Sequence, residues 1–436
     1  MIYWLIILMF ISHVGATAPA WSALRRGQLP PPVIAGTISF LFYYDFGIAV
    51  ELLGFDYQVP FFQSILDTTW ETQLFVLLIL IAAPWVLRVG SALTGPSSNE
   101  LPSRPWLSGK RSTVFYAIAI AVTALPAWYG LSHLMMGGAI WQFRSQVGLS
   151  LGPFIVMLSF PMHILAFYAS TEDARTPNGR LFTLFLAFGA ICGSIICGQR
   201  TLVLFPLLLA ALSYFNRVSL LKMTSLAAVC IIAAAAILPL IRGSYSDKTL
   251  REDNLLVEIV HNDFSRAGVM ATVVELSPPV GTDVLPDPMA GYFYSSLLFV
   301  PRDLAPFKGR STAMHFTGFM VNQKPEWLNW GFGVGMIEEL ILNTGTRFCL
   351  IGVFAYGCVL GLLTRTEMAL PAVSIPLRIG PLFLCAYHLP SLLLNFGLMW
   401  FVCMVFSWAF ITSNETDELP IADHEPNGNL QEPSLC

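Results

Sequence analysis

The sequence predicts an all-α polytopic integral membrane protein, with about eleven transmembrane helices and one large extracytoplasmic loop. Three observations carry this prediction. Of the 436 residues, 55% are hydrophobic and only 11% are charged, against about 25% charged in a soluble domain. A chain this apolar lacks the polar residues needed to cover a soluble surface. Apolar runs recur at close to the ~20 residues that a helix needs to cross a bilayer. Between two blocks of such runs lies one long polar stretch, residues 243–338.

Taken in order, spans are expected near 2–17, 31–50, 72–92, 113–137, 149–170, 181–197, 201–215 and 220–241. They make residues 1–242 a first transmembrane block. Residues 1–18 contain a small-residue stretch, Gly15-Ala16-Thr17-Ala18, that would suit signal cleavage, but no positively charged segment precedes it. A retained helix is therefore expected. Asp45 and Glu51 are the exceptions in an otherwise apolar second span and are expected towards its outer end, with a cavity lined together with Arg200 as the alternative. Spans six and seven are short and form a tight hairpin around Gly198-Gln199-Arg200.

Residues 243–338 form the large outer loop, a length beyond what a simple connection needs, so function is expected there. Residues 339–412 return to the membrane in spans near 346–364, 371–389 and 391–412. Pro376, Pro381 and Pro390 interrupt the penultimate segment, for which a re-entrant path is the alternative. Residues 413–436 are acidic and polar and read as a disordered tail.

Orientation follows from Lys and Arg in the short connections. One alternate set holds Arg25, Arg26, Arg88, Arg104, Lys110, Arg111, Arg175, Arg180, Arg217, Lys222, Arg365 and Arg378. The opposite set holds only Arg144 and Arg200. The basic set faces the cytoplasm, which places residues 243–338 outside and the C-terminal tail inside. Net charge is −4 with no extended basic block, so no nucleic-acid partner is expected. Seven of the eight cysteines lie in apolar segments and Cys436 ends the chain, which excludes a disulfide scaffold and offers no metal-ligand spacing. No phosphate-cradling loop, paired metal carboxylates or serine elbow is present.

Three places carry chemistry. The first is Phe299-Val300-Pro301-Arg302-Asp303-Leu304-Ala305-Pro306-Phe307-Lys308-Gly309-Arg310, where prolines and a glycine present Arg302, Lys308 and Arg310 from a stiffened turn. Arginine forks match phosphate geometry and lysine adds a compact charge. The aromatic run Tyr292, Phe293, Tyr294 and Phe299 beside it suits headgroup depth, where membrane lipid is the neighbour. The bland alternative is a solvated basic turn. The second place is Arg200, with Arg242 and Arg266 as cations able to converge on the same ligand; a helix-end anchor is the alternative for Arg200. The third is Gly331-Phe332-Gly333-Val334-Gly335-Met336-Ile337-Glu338-Glu339, followed by Asn343-Thr344-Gly345. Run helically into span nine, Glu339 and Asn343 share a face, and a carboxylate there suits a general base. Capping of the helix start by Glu338 or Glu339 stays open. His261 and His315 are the loop histidines.

In this order, the motifs resemble the oligosaccharide repeat-unit polymerases, the Wzy-type O-antigen polymerase family of bacteria. Gly198-Gln199-Arg200 resembles the family's Gly-x-Arg element. Val300-Pro301-Arg302 with Pro306-Phe307-Lys308 resembles its Ile-Pro-Arg…Pro-x-Lys-Pro segment, with Gly309 in place of the last proline. Gly335 to Gly345 resembles its glycine-rich stretch leading to Glu…Asn-Phe-Gly, with Thr344 in place of the aromatic residue. The resemblance implies a membrane glycosyltransferase of the inner membrane that joins undecaprenyl-pyrophosphate-linked repeat units on the periplasmic side. Arg200 and Arg302 would contact the pyrophosphate, supported by Lys308, Arg310, Arg242 and Arg266. Glu339 would deprotonate the acceptor, with Asn343 and His261 as substrate-binding residues. The arginines would take the place of a metal ion, so no metal or other cofactor is expected. A chain-length regulator and a flippase are the protein partners implied. An O-antigen ligase and a lipid-linked glycan transporter are the rival readings.

Overall fold

The computed structural model describes residues 2–25, 30–53, 64–96, 265–277, 284–297, 304–328, 332–369 and 380–397. It also describes Phe62, Val300, Leu377, Arg378 and scattered helical positions at 117–135 and 400–405. Every regular element among the described residues is helical. Four stretches are long and apolar enough to cross a bilayer: Ile2–Ala20, Pro32–Leu52, Trp70–Thr94 and Thr346–Glu367. These coincide with four of the expected spans. The expected spans at 149–241 and the tail at 413–436 lie outside the described residues.

The first helix, α1, runs Ile2–Arg25. The second, α2, covers Pro32–Leu52 and widens into a π turn at Leu41–Asp45, a feature that often marks functional positions. The third, α3, spans Trp70–Thr94. Thr69 caps it, its hydroxyl accepting the Thr72 N–H, and Glu71 in the first turn complements the helix dipole.

Pro84 lies inside α3 and cannot donate to the Leu80 carbonyl one turn earlier. His13 on α1 fills that vacancy through Nε2, 2.8 Å from Leu80 O, while Nδ1 sits 2.6 Å from Asp45 Oδ1 on α2. Ser12 donates to Ile81 O in the same turn and accepts the Trp85 indole N–H. One proline thus ties three helices together. Asp45 is buried inside the bundle, not towards an outer end, at a contact with His13, whose ring also reaches the Leu80 carbonyl of α3. Glu51 does sit near the end of α2, where it accepts from Ser64 and Ser265.

Helices α3 and Cys349–Ala369 (here α8) meet backbone to backbone. A Cβ on Gly357 would lie 2.2 Å from Leu87 O, and one on Gly90 would lie 2.3 Å from Phe354 O. A Cβ on Gly361 would lie 2.6 Å from Ser91 O. Gly357 and Gly361 form a Gly-x-x-x-Gly face, the small-residue packing that lets membrane helices approach closely. Thr94 Oγ1 adds a hydrogen bond to Cys358 O at 2.6 Å.

Residues 265–328, expected as a polar outer loop, contain three helices in the described part: α4 (Ala267–Leu276), α5 (Ala290–Ser296) and α6 (Thr312–Met320). Helix α4 is buried at Ala267, Val269, Met270, Ala271 and Val273. Its sequence is apolar on nearly every face, which requires enclosure on all sides. The chain enters at Ser265, whose Cα would lie 2.6 Å from a Cβ on Gly47.

The helix bearing Glu339, α7 (Met336–Thr344), does not run on into the following span as expected. Gly345 has φ 78, a left-handed conformation that favours glycine, and a separate turn starts at Thr346. The proline-interrupted penultimate segment is broken in the described residues: a 3-10 turn at Gly380–Phe383 is followed by turns and a new helix from Leu389. The Leu384 carbonyl freed there accepts the Met336 N–H at 2.9 Å. Such irregular backbone is tolerated where protein surrounds it.

Candidate functional site

The candidate site forms where α7 meets α2, α5, α6 and the break at residues 384–388. Glycines at 333 and 335 bring an extended segment into close contact with its surroundings. A Cβ on Gly335 would lie 2.1 Å from Cys385 O, and one on Gly333 would lie 2.3 Å from Arg266 Nη2. The glycine-rich motif therefore makes room for neighbouring backbone and for a guanidinium.

Beyond it, α7 buries Glu338, Glu339 and Asn343 completely. The expected pairing of Glu339 with Asn343 is present: Asn343 Nδ2 donates to Glu339 O at 2.8 Å and to Thr312 Oγ1 at 3.2 Å. Thr312 in turn donates to Glu339 Oε1 at 3.3 Å, and Leu389 N–H donates to Oε2 at 2.8 Å. Asn343 Oδ1 accepts the Tyr292 N–H, one of the orphan donors at the start of α5. Gly291 is required beside it, because a Cβ there would lie 1.9 Å from Thr312 Oγ1. Glu339 thus joins α6, α7 and the residue-389 helix, with both carboxylate oxygens engaged.

Glu338 points elsewhere. Its Oε1 accepts from Tyr44 at 2.9 Å, and its Oε2 has no hydrogen-bond partner among the described residues. The backbone N–H groups of Gly335 and Glu338 at the start of α7 pull on the Glu338 carboxyl, in line with the capping alternative for that residue, whereas Glu339 is engaged by Thr312 and Leu389. Burial raises both carboxyls from 4.5 to about 7. For Glu338 the opposing pull comes from backbone N–H groups, Arg266 and Tyr44, and for Glu339 from Leu389 N–H and Thr312. Near neutral pH each is therefore balanced between acid and base forms.

Arg266 lies at the rim, partly exposed, with Nη1 donating to Gly333 O at 2.8 Å and its backbone N–H donating to Tyr43 O at 2.8 Å. The basic segment stands at the start of α6. Lys308 Nζ donates to Val300 O at 3.0 Å, and its backbone N–H donates to Ala305 O at 2.9 Å. Arg310 Nη2 donates to Glu326 O at 2.9 Å. Gly309 lies flat on Tyr294, where a Cβ would come within 2.3 Å of the ring. Tyr294 stacks on His315, and burial lowers the His315 pKa from its usual value. Phe293 and Phe307 stack on each other and are exposed.

Arg200, Arg302, Arg242 and His261 lie outside the described residues. The structure brings Glu339, Asn343 and Arg266 around one helix and places Lys308 and Arg310 just before Thr312. Sequence reasoning missed Tyr44, Thr312 and the His13–Asp45 pair, and it considered Glu338 only as a cap. A tyrosine within an apolar span and the doubled glutamate were the available signals. Among the described residues no three His, Cys, Asp or Glu side chains converge as metal ligands. Comparison of the chain with family models, with curated proteins and with solved structures finds no match in any of the three.

Proposed function

We propose that this chain polymerises undecaprenyl-pyrophosphate-linked oligosaccharide repeat units into a surface polysaccharide, by glycosyl transfer at the periplasmic face of the bacterial inner membrane. The observation that carries this reading is the junction at Thr312. The basic segment ending at Arg310 leads directly into this residue, whose hydroxyl bonds both Glu339 and Asn343. Two motifs that resemble the polymerase pattern, some thirty residues apart in sequence, are thereby joined at one point.

In the reaction, Arg200 and Arg302 hold the pyrophosphate, with Arg242, Lys308 and Arg310 in support and His261 and Asn343 at the substrate. Fixed cations stabilise the charge that develops on the departing diphosphate, and the loss of one such contact costs about 10²–10³ in rate. A carboxylate of the Glu338–Glu339 pair receives the acceptor proton. Because both Glu339 oxygens are already engaged, its part is to position the basic segment relative to α7.

The test is genetic. The gene is deleted in the native bacterium and complemented with wild type, Arg200→Ala or Arg302→Ala, and surface polysaccharide is run on a gel. The expected result is loss of the ladder with a surviving single-repeat band, restored by wild type and by neither variant. An unchanged ladder in the deletion overturns the reading. Loss of even the single-repeat band points to ligation or transport, the latter being the reading that the buried His13–Asp45 pair would otherwise invite.

A further inference from the structure

Two charged side chains at the α7 site each keep a buried atom without a hydrogen-bond partner among the described residues: Arg266 Nε and Glu338 Oε2. Both lie against the same glycine segment. The Arg266 guanidinium covers Gly333, and Glu338 Oε2 would be 2.8 Å from a Cβ on Gly335, two residues on. The Arg266 charge is close enough to favour the ionised form of Glu338. Each side chain is held from behind. Tyr44 fixes Oε1 of the carboxylate, and Gly333 O fixes Nη1 of the guanidinium. The buried atoms left without a partner are one donor and one acceptor, Arg266 Nε and Glu338 Oε2, and Arg266 reaches the partly exposed rim.

A buried polar atom left unpaired is destabilising, so two such atoms on one glycine segment mark a place for a ligand group. A phosphate oxygen would satisfy the arginine and be repelled by the glutamate. A cation would do the reverse. A hydroxyl satisfies both, because it accepts and donates at one oxygen.

We propose that Arg266 and Glu338 bind the attacking hydroxyl of the acceptor saccharide, the arginine Nε–H donating to its oxygen and the hydroxyl donating to Glu338 Oε2. The identity of the ligand as a saccharide rests on the polymerase reading. As the hydroxyl oxygen bonds to the anomeric carbon of the lipid-linked donor, the carbon–oxygen bond to the diphosphate breaks. The electron pair leaves on the diphosphate, and the hydroxyl proton passes to Glu338. Arg266, grouped with the pyrophosphate residues on sequence grounds, is thereby assigned to the acceptor. The groups whose charge or ionisation bears on Glu338 are Tyr44, Arg266, Cys349 and Cys385, with Glu339 adjacent in the chain.

The experiment uses the full chain in lipid nanodiscs, with lipid-linked repeat units extracted from the deletion strain as donor and acceptor. Wild-type rate is expected to fall about tenfold per pH unit below about 7, as Glu338 becomes protonated. Glu338→Gln keeps the Tyr44 contact but cannot take the proton, and is expected to lose about 100-fold or more in rate. Arg266→Gln is expected to raise the acceptor KM, and the exposed Glu275→Gln serves as a control at wild-type rate. A Glu338→Gln rate within about threefold of wild type, with the same acid limb, overturns the assignment and leaves an internal water as the ligand. If Glu338→Gln fails to fold, Arg266→Gln and the wild-type pH profile decide: an unchanged acceptor KM or a flat profile overturns it. A wild-type protein that does not polymerise overturns the function itself, and this assignment with it.

Discussion

Gly357→Val is expected to disassemble the helical bundle. At this position even a single Cβ would lie 2.2 Å from Leu87 O and 3.1 Å from Leu87 Cα. The obstacle is backbone, so no change of rotamer relieves it, and α3 and α8 must separate. Overpacking costs about 1–3 kcal/mol in a core that can adjust, and more is expected where two helix backbones are in contact. Separation also removes the Thr94–Cys358 hydrogen bond and opens the facing contacts of Gly90 and Gly361. Fluorescence-detected size exclusion of the detergent-extracted protein is expected to show loss of the monodisperse peak, with Gly357→Ala intermediate. A wild-type melting curve for Gly357→Val would contradict this account of the packing.

His13→Ala is expected to cost nearly as much by a different route. Leaving the buried Asp45 carboxyl without its hydrogen-bond partner costs about 1–3 kcal/mol, and the Leu80 carbonyl loses its donor as well, at a similar cost. The cause lies in Pro84, so the loss is partly reversible in a defined way. Pro84→Ala returns a backbone N–H to that turn and is expected to recover about 1–3 kcal/mol in the His13→Ala background. In the wild-type background it competes with His13 for one carbonyl and is expected to gain little. The four melting temperatures form a double-mutant cycle, and strict additivity would show that Pro84 and His13 are not coupled.

Why some of this was legible in the sequence and some not has a physical basis. The four long helices follow from apolar runs of bilayer length, a local property, and their ends fall within a few residues of expectation. The Glu339–Asn343 face follows from helical spacing alone. Gly357-Cys358-Val359-Leu360-Gly361 stands in the sequence as a small-residue signature, yet its partner, the 87–91 turn of α3, is set only by the tertiary fold. Pro84 likewise implies a freed carbonyl, but nothing local says that His13 fills it. Tyr44 and Glu338 are 294 residues apart and meet only because α2 and α7 pack at one site. The buried helix Ala267–Leu276 was hidden by averaging, since the polar residues on either side made the whole stretch read as a loop. Gly345 was visible as a glycine, but its positive φ, which ends α7 before the next span, was not.

The central claim is that this chain forms glycosidic bonds between lipid-linked repeat units. The most direct measurement is reconstitution of the purified chain in vesicles with extracted undecaprenyl-pyrophosphate-linked units and no other protein. The expected result is a ladder of glycan lengths, with one undecaprenyl pyrophosphate released for each bond formed. Units that remain single, with no pyrophosphate carrier released by a well-folded protein, would contradict it.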